Sequence, residues 1–585
     1  MSEFDLTKPQ SRAEKILGKM TKDYSGELDP PQSRVEAYLS KLSEGGGGTG
    51  GGSSDGDYVT IGLNFKGSMY DLSRNRDREY IITKNKINSL DFLGTTSDLY
   101  ASGYYIVMFV PGNFKTIQLP KSNDVFYIYS IFGSEHEGEK LFRINQFIPD
   151  KDKIVEITQP ILYGYEVLPN IETPSDKVTY LADCNNANYT PFKIDLTTGR
   201  PNYGDWKDAF FMPRSCMLRS DGTVAYYLDE NDETKKEDGT PSDVSNPDFD
   251  GNAMMEFGRD GHLIWTKIED AVTTEGNVMG YKVYISNYKL DEKYHAWAFH
   301  DANGKLVPHF YLPKYNTSLI DGKFRSLSGQ HIVCKETTTA YNATQEMNYA
   351  KANGTGWLTE TKAQVDLINI LLILMAKSTD SQTVYGNGYV NSSQDNTNLL
   401  DTGTANTKGM FYGTSGNVCV KVFGMENWWG NQFRRYAGHM MINGVQKVKL
   451  TYGTEDGSTV VGYNTTGDGY ITINGATLLN EQGDTFGGGY LKEMKASIKG
   501  TLVPTGTLNG SSSTNYCDYC SYDNTTTIYA LRGGTLFNKA YCGVSYVNLL
   551  NSPDDARWTI CANITCTPAI NELDIEDKYV KPEPV

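Results

Sequence analysis

The run VDLINILLILMA, residues 365 to 376, constrains this chain more than any other stretch. Nearly every side chain in it is apolar, so a helix built from it has no polar face for water and must be surrounded by protein. It is too short to cross a bilayer, and Asp366 and Asn369 interrupt it. It predicts a buried core helix, starting near Thr359 or Thr361 and ending near Lys377. At 585 residues the chain can enclose such a helix and still form two to four domains. Apolar residues at 39% and charged residues at 21% describe a globular chain.

The glycine run EGGGGTGGGSSDGD, residues 44 to 57, has no side chains to pack and reads as a flexible linker. Before it, KPQSRAEKILGKM (8 to 20) and PPQSRVEAYLSKL (30 to 42) share PQSR-x-E at a spacing of 22. Each has a serine cap with Glu14 or Glu36 three residues on. Each then carries apolar residues at helical spacing: Ile16 and Leu17, or Tyr38 and Leu39. Two short amphipathic helices follow, which must dock on each other, on sister chains or on an assembly.

After the linker, YVTIGLNF, YYIVMFV, VFYIYSIF and KIVEITQPILYGYEVL alternate apolar and polar residues between turns. Residues 58 to 190 are therefore expected to form an antiparallel β domain of sandwich type. Residues 191 to 570 mix strand-like runs (TVAYYL, KVYISNYKL, HAWAF) with two helices, near 344 to 352 and 361 to 377. Residues 571 to 585 read as an acidic tail. The fold class is α+β, multidomain.

The balance of 54 basic and 71 acidic residues, net charge −17, argues against nucleic acid and anionic membranes as partners. Membrane insertion is not expected. The opening MSEFDLTKPQS lacks a basic then apolar leader pattern, so no secretory leader is expected. Nine cysteines include one CDYC, Cys517 and Cys520, without a second pair or a close histidine pair. They predict buried free thiols made in a reducing cytosol, with no metal and no cofactor. His295 and His300 in YHAWAFH would face opposite sides of a strand and share no metal. The acidic stretch DENDETKKED (229 to 238) lacks the glycine and final glutamate of a calcium loop and reads as solvated surface. Forty tyrosines, with abundant Gly, Asn and Ser, suit turn-rich β structure and adaptable binding surfaces alike.

Three segments stand out. YAKANGTGWLTETKAQVDLI (349 to 368) carries a G-x-G-W turn between helices. VKVFGMENWWGNQFRRYAG (420 to 438) places Gly430-Asn431 after two tryptophans. LRGGTLFNKAYCGVSYVNLLNSPDDARWTICANI (531 to 564) holds R-G-G-T and an N-x-P loop. In this order they resemble the formylglycine-generating-enzyme type of the C-type lectin fold. That resemblance implies a lectin-like domain over residues 191 to 570. The enzymes of that type use two copper-binding cysteines five apart after the R-G-G element. Here Cys542 is followed at that distance by Val547, while Cys561 and Cys566 lie beyond the N-x-P loop. The resemblance therefore implies the fold without the chemistry, and no enzyme activity is expected.

A second resemblance is to tail- and head-fibre-type proteins of gut bacteriophages and prophages. It rests on SCMLRSDGTVAYYLDENDETKKEDGTPSDVSN (215 to 246) and YHAWAFHDANGKLVPHFYLPKYNTSLIDGKFRSLSGQ (294 to 330). It implies that the N-terminal repeat anchors the chain to a virion through Pro9, Arg12, Glu14, Ile16, Leu17, Pro31, Arg34, Glu36, Tyr38 and Leu39. Some proteins of this lectin-fold group are diversified by retroelements in a C-terminal segment on an ALRGG-type scaffold. That pattern implies a ligand surface of Leu536, Phe537, Lys539, Tyr541, Tyr546, Asp555, Arg557 and Trp558. The expected partners are other virion proteins, a bacterial surface glycan or protein, and further copies of the chain. The expected location is the virion. A particle-bound polysaccharide depolymerase and a ligand-free decoration protein remain the alternatives.

Overall fold

The computed structural model describes residues 58–66, 79–84, 104–108, 115–132, 140–152, 154–158, 161–259, 262–272, 278–497 and 499–569. The N-terminal repeat with its ten anchoring residues, the glycine linker and the acidic tail lie outside the described residues. The chain divides into two compact units, with the main boundary between Ile161 and Leu162 and the short segment Lys289–Asp291 assigned to the first.

The first unit is all β among its described residues. Tyr58–Lys66 pairs antiparallel with Lys115–Pro120 and parallel with Ile154–Thr158. The second sheet runs Tyr104–Met108, Glu79–Thr83, Phe126–Phe132, Lys140–Phe147, antiparallel throughout. The alternation in YVTIGL acts as its period predicts: Val59, Ile61 and Leu63 are buried, Tyr58 and Thr60 exposed. The one parallel pair departs from the expected all-antiparallel pattern. A parallel pair needs a long crossover, and the second sheet lies within it.

Residues 162–190, expected to end this domain, belong to the second unit. Leu162–Val167 takes its hydrogen bonds from Val278–Ser286, far along the chain, and from Val178–Tyr180. The second unit contains mixed α and β structure, and its two largest sheets have six and eight strands. In the first, Ile564–Cys566 near the C-terminal end inserts between Phe310–Pro313 and Trp357–Thr359. In the second, Phe433–Ile442, Thr527–Arg532, Val547–Leu549, Tyr519–Asp523 and Phe486–Tyr490 lie side by side.

Four α-helices are described: α1 (Pro174–Lys177), α2 (Ala343–Lys351), α3 (Lys362–Ala376) and α4 (Ser381–Tyr385). α2 and α3 start on capping boxes, Asn342 with Gln345 and Thr361 with Gln364. α3 is the apolar run, and all its residues are buried except the half-buried Asp366 and Asn369. Both polar groups are satisfied. Asp366 accepts from Lys362 and Thr501, and Asn369 Oδ1 accepts from Trp428 Nε1 at 3.0 Å.

Two sequence expectations fail locally. HAWAF is a 3-10 turn, Trp297–Phe299, and not a strand. The His295 ring stacks on Trp297 at 4.5 Å and the His300 ring lies 5.3 Å from the same indole. DENDETKKED is not wholly solvated. Glu233 is fully buried, 2.7 Å from Lys314 Nζ and 2.5 Å from Lys421 Nζ, both also fully buried. Nearby, buried Glu426 accepts from the Gly403 N–H at 2.9 Å and the Ala405 N–H at 2.7 Å. Burial pushes its pKa up to about 7, against the pull of Lys421 and those two amides.

The three segments singled out in the sequence meet at Arg532. Glu360, just before α3, accepts from Arg532 Nε at 3.1 Å and Nη2 at 2.6 Å, and from Asn563 at 3.1 Å. Arg532 Nη1 donates to the Trp428 carbonyl at 2.7 Å, and its guanidinium carbon sits 3.5 Å from the Trp428 ring centre. Gly533 follows at φ +81°, where a Cβ would lie 2.8 Å from the Trp428 carbonyl oxygen. Only glycine fits there.

Two outcomes follow. Glu360→Ala leaves Arg532 buried without its counter-charge and should lower unfolding stability by about 3–5 kcal/mol, read by urea denaturation; a loss within experimental error would remove the pair from its central role. Glu426 has a folded pKa above its unfolded value near 4.5, so its contribution is fully present below pH 4.5 and is lost as pH rises to about 7. Stability measured from pH 4 to 8 should fall by about 3 kcal/mol more in the wild type than in Glu426→Gln across that window; parallel curves would contradict it.

Candidate functional site

The site grows outward from the strand that ends at Arg532. Past Gly533 the chain leaves the sheet as a loop, 533 to 546, and returns as Val547–Leu549. Inside the loop, Asn538 Oδ1 accepts from the Thr535 N–H at 2.8 Å and Cys542 Sγ donates to the Thr535 carbonyl. Buried Asp518 accepts from the Ser545 N–H at 2.7 Å, and burial holds its carboxyl well above the usual range. The next loop, 551 to 559, is held from within and from below. Asp555 accepts from Asn551 Nδ2 and the Ser552 N–H. Arg435 Nη2 donates to the Asp555 carbonyl and Gln432 Nε2 to the Trp558 carbonyl, both at 2.6 Å.

Between these loops, on the face of the sheet, lies a groove of about 860 Å³. Phe433, Phe486, Phe537 and Trp558 supply its aromatic surface; Asn396, Asn548, Asn551 and Thr559 supply polar groups; among the described residues Arg557 is the only charged one lining it. Phe486 on its rim is 61% exposed. The volume falls within the range of ligand pockets. Two interior voids, of about 20 and 30 Å³, have room for little more than water. Another surface depression, of about 430 Å³, is lined by Lys177, whose ammonium already donates to three backbone carbonyls.

The same sheet face continues into a tyrosine cluster. Tyr541 stacks on Tyr519 at 4.4 Å and meets Tyr490 edge-on at 5.4 Å. A Cβ at Gly488 would lie 2.7 Å from the Tyr519 ring, so the glycine lets that ring lie across the edge strand.

The residues expected at a ligand surface divide three ways. Phe537, Arg557 and Trp558 line the groove, and exposed Tyr541 sits on the tyrosine cluster. Lys539 is exposed at the loop tip with φ 52°, and Asp555 is half-buried and holds its loop. Leu536 and Tyr546 are corrections. Leu536 is fully buried against Ile332 and Leu399, and Tyr546 is buried against Phe433, with ring centres 5.6 Å apart. Phe486, Tyr490 and Tyr519 were missed. The pattern F-G-G-G-Y could have found the first two: residues four apart on a strand share a face, and glycines between them leave it bare.

All nine cysteines are buried, and no disulfide joins them. Burial raises the thiols of Cys542, Cys561 and Cys566, which leaves them poor ligands and nucleophiles. Among the described residues, no three His, Cys, Asp or Glu side chains gather as a metal-binding group, and no helix is long and apolar enough to cross a membrane. No family model matches the chain, and no curated protein matches it.

The burial pattern separates scaffold from surface. Tyr546→Ala should cost about 3–5 kcal/mol in unfolding stability, whereas Arg557→Gln should stay within about 0.5 kcal/mol of wild type; similar losses for both, measured by thermal and urea unfolding, would refute the separation.

Proposed function

We propose that this chain is a virion-associated adhesion protein of a bacteriophage, and that its second unit is a lectin-like binding domain. The observation that carries the reading is the groove between the 533–546 and 551–559 loops, where exposed Phe486 and half-buried Phe537 and Trp558 open to solvent beside exposed Arg557. Aromatic residues give a large contact area with few rotatable bonds, which is what a binding surface uses. The ligand is a bacterial surface glycan or protein. The β unit acts as spacer or assembly module, the N-terminal repeat as the anchor, and several copies act together, so that weak contacts multiply by avidity.

The depolymerase reading is less well supported. Glycoside hydrolysis needs two carboxyl groups across the scissile bond, and no Asp or Glu is among the described residues lining the groove.

The test is binding of the purified full-length chain to a panel of bacterial strains. Strain-selective binding is expected. Phe537→Ala and Trp558→Ala should each weaken it by about 2 kcal/mol, roughly thirtyfold. Binding that neither substitution changes would take the site elsewhere. Its absence from every strain would favour a decoration protein without a ligand.

A further inference from the structure

We propose that the groove and the tyrosine cluster form one continuous track for an internal stretch of a uronic-acid-containing polysaccharide, with a sugar carboxylate held by Arg557. This deepens the adhesion reading and rests on it.

Phe486 and Tyr490 lie at the two ends of one strand, on the same face, about 13 Å apart at ~3.3 Å per residue. Tyr490 is directly opposite Tyr519 across the strand pair. Tyr519 in turn packs against the cluster containing Phe433, which lines the groove. Between Phe486 and Tyr490 the strand has only glycine, and the Tyr519 ring occupies the space above Gly488. An aromatic row therefore runs along one sheet face, from Phe486 at the groove to Tyr519, Tyr490 and Tyr541. It is longer than one sugar ring and suits a chain passing along it rather than a single terminal sugar.

Aromatic ring faces pack against the C–H faces of pyranose rings, while half-buried Asn396, whose amide N–H groups go to the Cys334 and Thr337 carbonyls, keeps its side-chain oxygen to accept from a sugar hydroxyl, and the half-buried Thr559 hydroxyl lines the same groove. A protein target would be met by an apolar pocket centre. Here amides line the groove beside the aromatic rings.

The chain carries a net charge of −17, yet among the described residues the groove is lined by no acid and one cation. Arg557 has one acidic neighbour, Asp555, at 3.5 Å, with the Arg557 side chain 60% exposed. An exposed pair of that length contributes little. Asp555 is already engaged with Asn551 and Ser552. The guanidinium fork can therefore take a ligand carboxylate in two parallel hydrogen bonds.

The experiment uses the full-length chain on an array of neutral and uronic-acid-containing bacterial polysaccharides. Each acidic polymer is also printed after chemical reduction of its carboxyl groups to alcohols. Binding to at least one acidic polymer is expected, weakened by added salt and lost on carboxyl reduction. Arg557→Gln should weaken it by about tenfold or more. Tyr541→Ala should weaken binding of a six-sugar fragment by about tenfold and leave a two-sugar fragment unchanged.

Binding that survives carboxyl reduction but is lost in Trp558→Ala would overturn the acidic ligand and leave the adhesion groove standing. A Tyr541→Ala effect on both fragments, or on neither, would overturn the track. Cells bound through Trp558 with no polysaccharide bound would make the ligand a protein and end the proposal. Polysaccharide binding indifferent to Trp558 would end both this proposal and the adhesion reading it rests on.

Discussion

The second unit depends on a buried ion pair. Glu360 and Arg532 are almost wholly removed from water, with side chains 0% and 3% exposed. Taking two such charges out of water is costly, and their attraction offsets that cost only when the geometry is good and the remaining hydrogen-bonding groups are filled. Here both conditions hold. Glu360 accepts two bonds from Arg532 and one from Asn563, and Arg532 also donates to the Trp428 carbonyl and lies over the Trp428 ring. The pair fixes where three distant segments may sit: the entry to α3, the tryptophan turn and the last strand before the loops. A hydrophobic contact would tolerate sliding, and this set of directed bonds does not.

The groove inherits its position from that pair. Gly533 adjoins Arg532, and its carbonyl accepts from the Gly430 N–H at 3.0 Å. The 533–546 loop thus starts from a fixed point. It ends at one as well, because Asp518 fixes Ser545 before the chain re-enters the sheet. Arg435, two residues from Phe433 on the central strand, pairs with Glu346 of α2 and reaches up to the Asp555 carbonyl. The binding surface is irregular, yet each of its loops is tied to regular structure by a buried polar side chain. That is how loops can present aromatic groups without collapsing onto them.

Much of this was legible in the sequence where one period or one cap dominates. VDLINILLILMA reads as a buried helix because no face of it is polar, and its start is marked by Thr361 and Gln364. The alternation in YVTIGL shows which residues of that strand turn inward. Legibility fails where the deciding partner is remote. Leu162–Val167 looks like the last strand of the first domain until Val278–Ser286 claims it. Glu233 looks like one of several solvated acids until Lys314 and Lys421 bury it. Within the 533–546 loop there is no period at all, so Leu536 and Phe537 cannot be sorted by type. One packs into Ile332 and Leu399, and its neighbour faces the groove.

The same sorting says which positions on this surface are free to change. Lys539 and Arg557 are exposed, and Tyr541 is 40% exposed at the edge of its cluster. Replacing them alters what a ligand meets while the scaffold keeps its bonds. Leu536, Cys542 and Tyr546 are interleaved with them but fill the core, where each lost methylene costs stability. Gly533 and Gly534 sit at φ +81°, a conformation that other residues adopt only under strain. A short segment can therefore hold a fixed glycine scaffold beside chemically unrelated large groups, because its two sets of residues answer to different constraints. One set answers to the ion pair beneath it, the other to whatever occupies the groove.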